Sequence, residues 1–135
     1  MLRLAKMTEL SKPSRPNRKR NVVVIHPDHI FGEISAVILE GAGYTVHTYW
    51  HYRDVDLKCW ARPDVLIIAI DLEDCTAGSL RDWIQYRFPG AGILLVSNCP
   101  DDWNAMQSLG SRCLFAKTPI PANSLLSLVS SLIPT

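Results

Sequence analysis

Short, unbroken apolar runs recur along this chain at Val22 to Ile25, Val65 to Ile70, Ile93 to Val96 and Cys113 to Ala116. Runs of four to six such residues, bounded by polar or turn-forming ones, read as strands buried on both faces. Residues 44–49 alternate instead and predict a further strand. The segments between the runs carry helical spacing. Residues 30–43 place Ile30, Ile34, Val37, Ile38 and Leu39 at such intervals, and Gly41 and Gly43 end that helix. Residues 77–88 predict a helix with Leu80, Trp83, Ile84 and Arg87 toward the sheet, broken by Pro89-Gly90. Residues 103–109 predict a helix capped by Gly110, and residues 124–133 a closing helix with Leu125, Leu126, Leu128 and Leu132. Residues 50–62, rich in aromatics and charges, suit a short or irregular helix. Strands alternating with helices imply an α/β three-layer sandwich: a five-stranded parallel sheet with right-handed crossovers.

The run from Val65 to Ile70 is the natural centre of that sheet, and Asp71, Glu73 and Asp74 follow it directly. Ligands of open α/β sheets collect at the carboxyl ends of central strands, so acids there draw attention.

Composition narrows the setting. A chain of 135 residues with 47% apolar and 20% charged side chains can bury one core and is not a disordered type. No apolar run approaches a membrane span, and the N-terminus lacks the apolar core of a signal peptide, so a cytoplasmic protein without membrane contact is expected. Cys59, Cys75, Cys99 and Cys113 show no C-x-x-C pairing and are expected to be free thiols.

Charge is unevenly spread behind the net value of +1. Residues 1–20 hold seven bases and one acid, a net +6, whereas the remainder is −5. Together with Pro13 and Pro16, this predicts a flexible basic arm over 1–20 ahead of a mildly acidic domain over 21–135. The arm is either a solvated leader or an electrostatic contact to nucleic acid or an acidic partner.

Enzyme signatures are not evident. Gly41-Ala42-Gly43 follows a helix rather than opening one, so it is not a phosphate loop. No Ser-His-Asp or Cys-His order points to hydrolysis, and Cys99 has no evident base. His26, Asp28 and His29, with Asp71, offer donor types for a transition metal or a pH switch. Pro27 stiffens that loop, however, and adjacent side chains seldom converge on one ion. No cofactor and no metal are expected.

The ordered set Val22–Ile25, Glu33, Ile38-Leu39-Glu40, Ala42-Gly43-Tyr44, Pro63-Asp64, Ser97 and Lys117 to Pro119 resembles the receiver domain of two-component response regulators. The resemblance spans residues 22 to about 133 and implies a flavodoxin-like (βα)5 fold. Receivers carry two acids after strand one, a phosphorylated aspartate after strand three, a Ser/Thr after strand four and a lysine before a proline after strand five. The acids hold Mg²⁺, and the cation with the ammonium neutralises charge developing on the phosphoryl group.

Position by position, most of that machinery is missing. The acidic pair falls on His26 and Pro27, leaving Asp28 one place further on. Counting forward from Pro63 and back from Ser97 puts Ala69 at the phospho-acceptor position. Ser97 is a permitted hydroxyl. Lys117 is in register counted from Gly110, but Thr118 takes its place counted from Pro119.

The reading that follows is a pseudo-receiver, not an enzyme, that keeps the scaffold and acts as a regulatory protein-interaction or dimerisation module in signalling or transcription control. The resemblance implies a docking face over residues 103–133, including Trp103, Phe115, Pro119 and Leu125. Two alternatives accompany it: an atypical receiver phosphorylated at Asp71, and a nucleic-acid-associated regulator using the basic arm. Partners are thus a protein, a second copy of the chain, or nucleic acid through the arm or an output domain beyond Thr135.

Overall fold

The computed structural model describes residues 20–58, 62–70, 76–98 and 112–133. Five strands form one sheet: β1 (Asn21–Ile25), β2 (Thr45–Tyr49), β3 (Val65–Ala69), β4 (Gly92–Ser97) and β5 (Cys113–Lys117). Four helices are described: α1 (His29–Gly41), α2 (Tyr52–Lys58), α3 (Ala77–Arg87) and α4 (Ala122–Leu132). The helix expected over 103–109 lies outside the described residues. Every strand pairing is parallel and the order is β2-β1-β3-β4-β5. This is the order of the flavodoxin-like fold that the resemblance implies.

Strand pleating explains why the central runs are apolar throughout. Val23, Ile25, Leu66, Ile68, Ile93 and Leu95 pack with Val55, Leu80, Ile84 and Phe88 under α2 and α3. The alternate residues Val22, Val24, Val65, Ile67, Leu94 and Val96 pack with Leu39, Leu125, Val129 and Leu132 under α1 and α4. Both sheet faces are covered, so successive side chains of β1, β3 and β4 all leave water. Each fully buried aliphatic chain contributes roughly 1.5–3 kcal/mol.

The helix α1 departs from the expected pattern. Its sheet-facing positions are Gly32, Ser35 and Leu39, and Ile38 and Phe31 are half-buried against the same core. Ile30, Ile34 and Val37 are 65%, 55% and 71% exposed. Small residues on the inner face let the helix lie close to β2: a methyl at Gly32 would sit 3.9 Å from the Thr48 side chain. The aliphatic residues at i, i+4 and i+7 therefore form an outward stripe rather than the buried one.

The remaining elements follow local chemistry. Asp28 caps α1, its Oδ1 accepting from the Ile30 N–H at 2.9 Å. Thr76 caps α3 by accepting from the Ser79 N–H at 3.1 Å. Chain reversal after α1 uses Gly43 at φ +100°, a conformation glycine adopts readily. In α3, Leu80 and Ile84 are buried and Trp83 packs on the core edge, and Arg87 lays its guanidinium over the Phe88 ring, 4.9 Å from the centroid. Cys113 is a free, buried thiol, and burial pushes its pKa up to about 12. Cys59, Cys75 and Cys99 lie outside the described residues.

Gly92, at the start of β4, sits beneath the end of α4. A Cβ there would lie 2.8 Å from both the Cβ and the carbonyl oxygen of Leu132. Gly92→Ala is therefore expected to cost about 1–3 kcal/mol by overpacking, read as a lower urea midpoint at unchanged slope. Parent-like stability would show that the end of α4 shifts without penalty.

Candidate functional site

The carboxyl ends of β1, β4 and β5 converge on a cleft of about 350 Å³. His26, Asp28, Ile30 and Phe31 enter from the β1–α1 junction; Ser97 and Asn98 come from β4, and Thr118 and Pro119 from β5. Ala69, at the end of β3, is fully buried and pairs with Val96. A methyl group, already in the core, thus occupies the end of the central strand beside this cleft. Asp71, Glu73 and Asp74 lie outside the described residues.

Each polar group here has local work. His26 Nδ1 accepts from the Asp28 N–H at 3.0 Å, and its ring stacks on Phe31 with centroids 4.2 Å apart. Asp28 spends Oδ1 on the α1 cap. Ser97 is buried, and its carbonyl accepts from the Thr118 N–H at 3.2 Å. The Thr118 hydroxyl bonds the side-chain oxygen of Asn98. Lys117 pairs with Ser97 across the sheet but is exposed and does not line the cleft. Thr118, with Pro119 behind it, is the residue that β5 delivers to this place.

His29 goes elsewhere, stacking on Trp50 with centroids 3.7 Å apart. The two histidines are held by different aromatic rings, so they do not share a ligand. Among the described residues, no three His, Cys, Asp or Glu side chains gather around a common point. A magnesium ion is poorly served by the residues at the end of β1. Pro27 has no ligand, His26 offers nitrogen where magnesium prefers oxygen, and the nearest carboxylate is engaged as a cap.

Of the positions expected to form a docking face, Leu125 is turned inward and buried. It packs in the core and cannot meet a partner, because α4 lays its Leu125-Val129-Leu132 stripe on the sheet. Phe115 is half-buried against the opposite core and Pro119 is exposed. Trp103 lies outside the described residues.

No family model matches the sequence, and neither does any curated protein sequence. Solved structures do match. The chemotaxis response regulator CheY4 of Vibrio cholerae superposes with a TM-score of 0.75 at 18% identity, covering 86% of this chain and all (100%) of that one. A response regulator receiver domain protein of Bacillus halodurans gives 0.74 at 14% identity, with 87% and 100% covered. The chain has the receiver fold. Identities this low speak for the fold and leave the chemistry to the residues. On that fold, the polar side chains lining the cleft at the sheet's carboxyl edge are, among the described residues, His26, Asp28, Ser97, Asn98 and Thr118, and Ala69 at the end of β3 is buried.

Sequence reading had found His26, Asp28, Ser97 and Thr118 but missed Ile30, Phe31 and Asn98. The aromatic stack under His26 carries no sequence signal beyond a Phe five residues on. The Thr118–Asn98 bond joins loops 20 residues apart.

Proposed function

We propose that this chain is a receiver-like regulatory domain that has given up phosphoryl transfer and works by contact with another protein surface, in signalling or transcription control. The observation that carries the reading is Ala69, a methyl fully buried at the end of β3, at the position that counting from Pro63 and Ser97 assigns to a receiver's reactive carboxylate. The cation-holding and charge-neutralising partners are absent in the same sense, since His26 and Pro27 replace the acids and Thr118 lines the cleft where a lysine would reach in. Without a divalent cation and a fixed ammonium, a carboxylate facing a phosphoanion meets uncompensated charge.

For the contact, we propose a second copy of the chain against the outward face of α1. Ile30, Ile34 and Val37 form a continuous exposed aliphatic stripe, extended by Trp50, itself 58% exposed, beside His29. Contiguous apolar surface of this kind marks contact sites. One solved neighbour, the beryllofluoride-activated NtrC4 receiver domain, is a dimer, at a TM-score of 0.69 and 16% identity.

Two measurements test the reading separately. Intact mass after incubation with acetyl phosphate and Mg²⁺ is expected not to change; gain of a phosphoryl group, lost again in Asp71→Ala, would overturn the loss of phosphoryl chemistry. Sedimentation equilibrium is expected to give a concentration-dependent dimer that Ile34→Glu dissociates with unchanged circular dichroism. A strict monomer across the micromolar range would remove the self-association half alone.

A further inference from the structure

The sheet ends on one side at β2, and that edge lacks the devices that usually close one. On the β1 side its bonding is complete. The Thr45 N–H donates to the Arg20 carbonyl at 2.8 Å, and the Tyr49 carbonyl accepts from the His26 N–H at 3.0 Å. The register with β1 runs one to one through all of β2. Thr45, His47 and Tyr49 therefore direct their backbone groups to β1, and Val46 and Thr48 direct theirs away from it. Among the described residues, nothing pairs with those outward N–H and C=O groups.

Natural edge strands are protected by lysine, proline, a bulge or a covering element. The segment Thr45–Tyr49 holds neither lysine nor proline, and its continuous register leaves no bulge. His47 and Thr48 are exposed. An extended chain laid along this edge would find its backbone partners in place.

The helix above the edge gives it a charge. Phe31 and Ile38 lie half-buried on one flank of α1, against the core that holds Leu125 and Val129 of α4. Helical geometry puts Glu33 and Glu40 on the other flank, one position past the inward residues Gly32 and Leu39. His29, on that same flank, stacks on Trp50 just beyond β2, so this is the flank that overhangs the edge. Both glutamates are exposed, and neither has an ionic partner among the described residues. Neither α1 nor β2 contains a lysine or arginine.

We propose that the β2 edge takes up an extended, lysine- or arginine-bearing segment of a partner protein as a sixth strand. Its backbone pairs with Val46 and Thr48, and its basic side chains on the α1 side meet Glu33 and Glu40. The two glutamates are separated by about 10 Å along the helix, and lysines two or four positions apart in a strand span about 7 or 13 Å, within the play of their long stems. A second copy of the chain is the poorer occupant, because pairing two β2 edges antiparallel brings two acid-bearing flanks together across the twofold axis. An acidic segment meets the same repulsion. This site is separate from the α1 stripe and does not depend on self-association there.

The test is fluorescence anisotropy of the full chain with a labelled peptide, Lys-Val-Lys-Thr-Lys-Val-Lys, at low salt, where exposed charges are least screened. The peptide is expected to bind, and its counterpart with Glu for every Lys is not. Thr48→Pro removes one outward N–H and leaves the bonds to β1 intact, so it is expected to lose about five-fold or more. Methylating the peptide's backbone nitrogens is expected to lose at least as much without touching the protein. Glu33→Lys with Glu40→Lys is expected to lose at least about ten-fold, since attraction becomes repulsion. Circular dichroism checks each variant's fold, and the methylated peptide keeps the test open if Thr48→Pro does not fold. Failure of the lysine peptide to bind overturns the proposal. Binding that neither Thr48→Pro nor backbone methylation weakens marks a diffuse charge contact and overturns it too. So does loss of the chain's own dimer in Thr48→Pro without any peptide binding, which would make a second copy the occupant.

Discussion

Replacing Ala69 by aspartate is expected to destabilise the domain by about 3 kcal/mol or more at pH 7 and by much less at pH 4. Ala69 is fully buried, its neighbours Ile68 and Ile70 belong to the same apolar core, and it pairs with Val96. A carboxylate placed there loses its water. In a working receiver the equivalent group is compensated by a cation and a lysine; here β1 supplies His26 and Pro27, and Lys117 does not enter the cleft. Desolvation without compensation raises the carboxyl pKa, by up to 3–5 units when burial is complete, and each unit is about 1.4 kcal/mol. The sign follows from linkage. A folded pKa above the unfolded value near 3.9 means the native state holds the proton longer, so stability is retained below about pH 4 and lost as pH rises toward the folded pKa. Urea titrations of parent and variant at pH 4 and pH 7 measure this. Equal stability at both pH values would mean that the position opens to solvent or has a cation partner, and the emptied-site reading would fall with it.

The same residue shows how much of the fold was legible in advance. Its place at the end of the central strand could be read from sequence because β3 and β4 are continuous apolar runs, flanked by Pro63 and Ser97, with no room for a slipped register. Buried parallel strands advertise themselves, since both faces must be apolar. The site at β5 was harder. Lys117 and Thr118 are adjacent, a strand alternates its faces, and one residue of slip exchanges the cleft for solvent. Only the fold shows that Thr118 lines the cleft while Lys117 stays exposed.

The helix α1 misled for a different reason, and it gives the other large expected effect. Leu39→Ala should cost about 2–5 kcal/mol, whereas Ile34→Ala, one turn away, should stay within about 0.5 kcal/mol. Apolar spacing at Ile30, Ile34 and Val37 has the period of a buried stripe, but periodicity cannot tell which side of a helix meets the sheet. That is decided by fit. Gly32 and Ser35 present almost no bulk, so they allow the helix axis close to β2, and Leu39 then fills the space toward β1 and β3. Had Ile34 faced inward, its volume would have held the helix away and left Leu39 without its packing. Removing Leu39 opens a cavity in a core where the side chain is fully buried, so both transfer and cavity terms apply. Removing Ile34 takes away a side chain that is 55% exposed. Both variants need measuring at high dilution, because Ile34 is also in the proposed dimer face, and dissociation would otherwise add to its apparent cost. Comparable losses for the two under those conditions would mean that α1 turns its aliphatic stripe toward the sheet, and the dimer surface built on that stripe would go with it.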